Sequence, residues 1–157
     1  MVLDSLILQT KLFLEEDMNL EILEVDTINV ESGILSLKEF TSMIGVGGRI
    51  SLMTVISFDK ELLDKLVSLF MDGEEVAIDE LEEIRQSVTG EVMNTILGLS
   101  LPTFPHRGKD ITITPPITIN DAGFLKKHKN SKISSISIVT NFGTMVISAI
   151  GESQYIK

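Results

Sequence analysis

The chain has 157 residues, with 13 Lys and Arg against 23 Asp and Glu for a formal charge of −10, 43% hydrophobic residues, and neither Cys nor Trp. A chain of this length buries roughly 70% of its unfolded surface, so one core can stabilise it without a disulfide or metal staple, and residues 1–157 are expected to form a single domain. The composition excludes thiolate nucleophiles, disulfide frameworks and Cys-ligated zinc, and the acidic balance argues against nucleic-acid binding.

The N-terminus places Asp4 where a secretory leader would carry positive charge, and Gln9, Thr10 and Lys11 interrupt the apolar stretch that follows, so a cytoplasmic location is expected. No apolar run approaches the roughly 18 residues of a membrane-spanning helix, so no membrane insertion is expected. Leu3, Leu6, Ile7, Phe13 and Leu14 recur at helical spacing and predict an amphipathic helix over residues 2–17. Apolar, β-branched segments at 21–30, 36–45 and 49–58 predict strands, with Gly45-Val46-Gly47-Gly48 read as the hairpin turn between the last two. That glycine run lacks the Lys-Ser/Thr of a phosphate-binding loop.

Asp59 is placed to cap a helix carrying Leu62, Leu63, Leu66, Val67 and Phe70, which Asp72-Gly73 ends. Asp79 and Glu82 have capping-box spacing and open a long helix to about Ser100, where Leu101-Pro102 stops it. Ile111-Thr112-Ile113-Thr114 and Ser135-Ile136-Ser137-Ile138 alternate as strands do, and Asn141-Phe142-Gly143 turns the chain into a strand at 145–150. Residues 120–132, with Lys126-Lys127-His128-Lys129, read as an exposed, solvated loop. The expected fold class is α+β: a largely antiparallel sheet with helices packed on one side.

The long helix carries the unusual residues. Leu81, Ile84, Val88, Val92, Ile96 and Leu99 fall within an arc of about 120° and predict its core stripe. Ser87, Glu91 and Asn94, with Gly98, share an arc of about 60° beside that stripe. Met93, Leu97 and Leu101 project from the side opposite the stripe, so a second packing contact within the fold or a partner must cover them. Glu91 is the only charged residue between Gln86 and His106, and no Lys or Arg stands three or four positions from it. Its carboxylate must therefore be solvated or meet a cation from elsewhere, because an unpaired buried charge costs several kcal/mol. Gly90 and Gly98 each cost about 1 kcal/mol in a helix interior relative to Ala.

Ser87-Val88-Thr89-Gly90-Glu91-Val92-Met93-Asn94, with Ile96-Leu97-Gly98 and the downstream Pro115 and Pro116, resembles the signature of the CheC/CheX/FliY family of chemotaxis phosphatases. The family pattern is Asp or Ser, three residues, Glu, two residues, Asn, then a distant Pro. The preceding strand, the two helices and the 111–119 segment also follow the family's order. The interval from Asn94 is slightly shorter than the family's, so either proline stands for the family's own. A second Glu-x-x-Asn, Glu16-Asp17-Met18-Asn19, has Leu12 where Ser or Asp belongs and sits at a helix end. The one-site, CheX-like arrangement is therefore expected.

The resemblance implies hydrolysis of the aspartyl phosphate of a CheY-type response regulator. Asn94 would hold a water in line with the phosphoryl group, and Glu91 would pair with the receiver's active-site lysine. Ser87, Gly98, Pro115 and Pro116 would border the contact. It further implies Mg²⁺ carried by the receiver, no cofactor bound by this chain, and a homodimer, for which segments 111–119 and 133–150 offer a sheet edge. The alternative is a non-catalytic adaptor or flagellar-switch-like module that docks a receiver through the same surface. His106 and His128 fall in predicted loops without a nucleophile elbow or metal-ligand cluster, which argues against an unrelated hydrolase.

Overall fold

The β-branched segments pair into a seven-stranded antiparallel sheet in the computed structural model of the protein, which describes residues 2–30 and 32–156. In chain order the strands are β1 (Ile22–Ile28), β2 (Ile34–Ser36), β3 (Phe40–Gly48), β4 (Leu52–Phe58), β5 (Ile111–Ile113), β6 (Ile117–Asn120), β7 (Phe124–Lys126), β8 (Lys132–Thr140) and β9 (Thr144–Gly151). The sheet order is β1-β8-β9-β4-β3-β5, with β6 also paired to β3, while β2 and β7 form a separate two-stranded ribbon. The helices are α1 (Val2–Leu12), extended by a π-helical turn at Phe13–Asp17, α2 (Lys60–Phe70) and α3 (Leu81–Ser100).

Alternation along the strands builds one core. Phe40, Ile44, Val46, Leu52, Ile56, Phe58, Met145, Ile147 and Ala149 are buried with apolar residues of all three helices. The opposite face is lined by Val55, Ser57, Val146 and Ser148, and the β2–β7 ribbon borders it, with Leu35 buried and Leu125 half-buried. The helices lie on one side of the sheet as expected, and the 120–132 segment, read as loop, instead contributes β7 to this ribbon. Of the two segments expected to offer a sheet edge, 111–119 reaches one. Residues 133–150 lie inside the sheet, since β8 runs between β1 and β9, and β9 between β8 and β4.

Several local expectations are corrected. The predicted 36–45 strand spans the end of β2 and much of β3. The glycine run 45–48 is strand, paired with β4 on one side and β5 on the other, and the turn falls at residues 49–51. A Cβ built on Gly45 would lie 3.3 Å from Thr114 Cγ2, and one on Gly47 3.3 Å from Thr112 Oγ1. The glycines therefore serve the close approach of the next strand. Thr114 Oγ1 accepts the Gly45 N–H at 2.9 Å, and the ladder then breaks at Pro115-Pro116, which have no N–H to donate.

Asp59 occupies the cap position of α2, but its carboxylate accepts the Thr144 N–H at 2.9 Å and pairs with Lys38 Nζ at 3.2 Å, tying the helix start to β9. Asp79 and Glu82 form no capping box: α3 begins at Leu81 with no side-chain cap bond, and Glu82 instead accepts from Asn120 Nδ2 at 3.4 Å.

Candidate functional site

The position of α3 decides which of its residues remain accessible. It packs against α1, α2, β3 and β6, so burial wraps around more of its circumference than one apolar stripe. Val88, Val92 and Ile96 are buried as predicted. Leu99 is not: it is 51% exposed, whereas Met93 and Leu97, placed opposite the stripe, are fully buried. The cover over Met93 and Leu97 is the protein's own core. The true core direction is turned toward Thr89, Met93 and Ser100, so Ser87, Glu91, Asn94 and Gly98 lie on the outer face, across the helix from the core and not beside it.

Arg85 fixes this orientation. Its Nε and second terminal nitrogen donate to the two carboxylate oxygens of Asp64 on α2 at 2.7 and 2.9 Å, a bidentate pair. The guanidinium also lies 5.7 Å from the centre of the Phe40 ring on β3. The hydrogen bonds to Asp64 raise the Arg85 pKa further above its ordinary value, which is already high enough to keep the guanidinium charged.

Between the outer face of α3 and β6 runs an open cleft of about 350 Å³. Ser87, Glu91 and Asn94 line it from the helix, and Pro116 and Thr118 form its other wall. Gly90 lies at the junction: a Cβ there would meet Pro116 Cγ at 3.5 Å and Thr118 Cγ2 at 3.7 Å, ordinary contact distances, so the strand packs closely on the helix at this point. Glu91 and Asn94 are exposed and make no ion pair or side-chain hydrogen bond among the described residues. The carboxylate and the carboxamide stand one turn apart with their hydrogen-bonding capacity open to an incoming molecule.

Of the two prolines, Pro116 reaches the cleft and Pro115 does not. Gly98 shares the exposed face but lies outside the cleft, with no atom within 4 Å of a built Cβ. Gly98→Ala is therefore expected to raise stability by about 0.5–1 kcal/mol, checked by urea unfolding of the two proteins. A loss of stability would show that the open space is closed in solution. Sequence reasoning missed Glu83 and Gln86, which extend the cleft toward the start of α3. Their signal was Glu83 at one helical repeat before Ser87.

The other motifs stay apart from this site. In Glu16-Asp17-Met18-Asn19 the π-helical turn ends at Asp17, and Asn19 has φ of 53°, so Glu16 and Asn19 do not share a helical face. His106 is exposed in a short 3-10 turn, Pro105–Gly108, and His128 in a loop, and neither lines the cleft. Among the described residues no three His, Asp or Glu side chains come together in a way that could hold a metal ion. Among the described residues no helix is long and apolar enough to cross a membrane.

The family model of the chemotaxis phosphatase CheX matches residues 40–139, a span that contains both walls of the cleft. The chain belongs to the CheX family. Over 107 residues it is 30% identical to the CheY-P phosphatase CheX of Thermotoga maritima, a match that covers 68% of this chain and 63% of that protein. The chain thus matches slightly less than two thirds of the length of this relative.

The fold is similar to that of the chemotaxis protein CheX from Desulfovibrio desulfuricans, with a TM-score of 0.79 over 96% of this chain and 99% of that one at 15% identity. It is also similar to a chain in the crystal structure of the CheX-CheY-BeF3-Mg²⁺ complex from Borrelia burgdorferi, with a TM-score of 0.70 over 96% and 97% of the two chains at 19% identity.

Proposed function

We propose that the protein hydrolyses the aspartyl phosphate of a CheY-type response regulator, with Glu91 and Asn94 entering the receiver's active site. The observation that carries this reading is the pairing of the two groups: both are exposed, neither has a side-chain partner among the described residues, and both border one cleft. The family membership and the relative named a CheY-P phosphatase support it.

An acyl phosphate is already activated, and the Mg²⁺ carried by the receiver neutralises its phosphoryl oxygens. What this chain adds is position. The Asn94 carboxamide accepts from and donates to a water, holding its oxygen in line with the phosphorus opposite the scissile P–O bond. Attack forms the new P–O bond as the aspartate carboxylate leaves, releasing inorganic phosphate. An amide has no basicity for the water's proton, so Asn94 orients the nucleophile and is not a general base.

The Glu91 carboxylate pairs with the receiver's active-site lysine, and so finds in the docked complex a cation that none of the described residues supplies. Ser87 borders the contact as a hydrogen-bonding neighbour, and Pro116 supplies the rigid opposite wall. The homodimer implied by the resemblance belongs to the same proposal, with the outer edge of β6 as its seam.

The test mixes the protein with phosphorylated, Mg²⁺-loaded receiver and follows loss of phosphate. Acceleration over the receiver's own rate is expected. Binding without acceleration would make the protein a receiver-docking adaptor, and absence of both would overturn the reading. Glu91→Ala is expected to cost about 2–5 kcal/mol of complex stability, because the receiver's lysine is left desolvated and unpaired. Titration calorimetry of the two proteins against the receiver measures it, and an unchanged Kd would remove Glu91 from the interface.

A further inference from the structure

The cleft holds a second carboxylate for which the chemistry above has no use. Glu83 lines it together with Ser87, Glu91 and Asn94. At about 1.5 Å of rise per residue, Glu83 and Glu91 stand roughly 12 Å apart along α3, too far for one cation to serve both. Glu83 is exposed and has no ion pair or side-chain hydrogen bond among the described residues. The base closest in sequence, Arg85, is committed to Asp64 on the other side of the helix.

An acid in the first turn also favours the helix N-terminus, whatever docks there. Glu82 separates the two effects. It lies in the same first turn, so it contributes similarly to the helix, yet it does not line the cleft and its carboxylate is turned to Asn120.

We propose that Glu83 is a specificity-determining contact that takes a Lys or Arg on the docked partner's surface, outside the phosphorylation site. The inference rests on the docking proposed above. A partner must then present two bases about 12 Å apart, one in its active site for Glu91 and one on its rim for Glu83. A receiver lacking the second base is bound more weakly but is turned over at the same rate once bound, because Glu83 does not touch the reacting atoms. The contact is exposed, so it acts mainly through association and weakens as salt is added.

The experiment compares the parent, Glu83→Gln and Glu82→Gln in steady-state dephosphorylation of the phosphorylated, Mg²⁺-loaded receiver at low and high salt. Glu83→Gln is expected to raise KM by up to about fivefold at low salt with kcat unchanged, and to flatten the rise of KM with salt. Glu82→Gln is expected to alter neither. Glu83→Lys should raise KM further, and replacement of one receiver Lys or Arg by Glu should restore it.

A Glu83→Gln protein with the parent's KM and salt dependence, or equal shifts in both Gln variants, overturns the contact and leaves the phosphatase reading standing. A parent that neither binds the receiver nor speeds phosphate loss overturns both.

Discussion

Asn94→Ala is expected to lower the turnover of phosphorylated receiver by about 10²–10³, the usual cost of removing one group that organises a reaction centre. The side chain is exposed and makes no side-chain hydrogen bond among the described residues, so its loss leaves the packing of α3 untouched. Alanine is also the better helix former, so unfolding free energy stays level or rises by a few tenths of a kcal/mol. The effect is thus confined to kcat, while the receiver's Kd, set by Glu91 and the cleft walls, changes little. Single-turnover release of phosphate at saturating protein measures it, with calorimetric binding as the companion. Equal single-turnover rates in Asn94→Ala and the parent would rule out water positioning by this residue.

Met93→Ala is expected to destabilise the fold by about 2–5 kcal/mol, and Leu99→Ala by no more than about 0.5 kcal/mol. Hydropathy around the isolated helix ranks these two the other way, since Leu99 belongs to its apolar stripe and Met93 does not. In the structure Met93 is fully buried among core side chains, so truncation removes those contacts and leaves a cavity, whereas half of Leu99 already faces water. Urea unfolding of both variants, with slopes equal to the parent's, reads the difference. If Leu99→Ala proved the more damaging, the orientation of α3 and the outward placement of Glu91 and Asn94 would both be wrong.

Leu99 misled because a helix pressed on several sides buries residues that hydropathy scores as neutral. Thr89 and Ser100 are buried although they are polar, since each hydroxyl donates to the carbonyl four residues earlier, at 2.7 Å to Arg85 and to Ile96. A hydroxyl satisfied in this way enters a core at little cost and carries no periodic signal. Gly90 is buried too, under Pro116 and Thr118, and as a residue without a side chain it adds nothing to the hydropathy pattern. Once these three count as core, the buried arc turns away from Leu99.

The glycine run 45–48 shows the same limit in a strand. Glycine next to glycine usually marks a turn, but here it accommodates Thr112 and Thr114 of a segment more than sixty residues away in sequence. Only the packed sheet reveals that neighbour.

What the sequence alone determined is local: the three helices and most of the strand segments, the antiparallel α+β class, and the presence on one helix of an isolated Glu, an Asn one turn on and a Ser one turn back. Those follow from chemistry repeated at fixed intervals along a single element, which is written in residue order. What only the tertiary structure decided is relative: that the Ser-Glu-Asn face points away from the core, that Pro116 and not Pro115 forms the facing wall, and that Glu83 lines the same cleft. These depend on contacts between distant elements, where steric fit and a few side-chain bonds such as Arg85 to Asp64 select one rotation of the helix among several that its own hydropathy would permit.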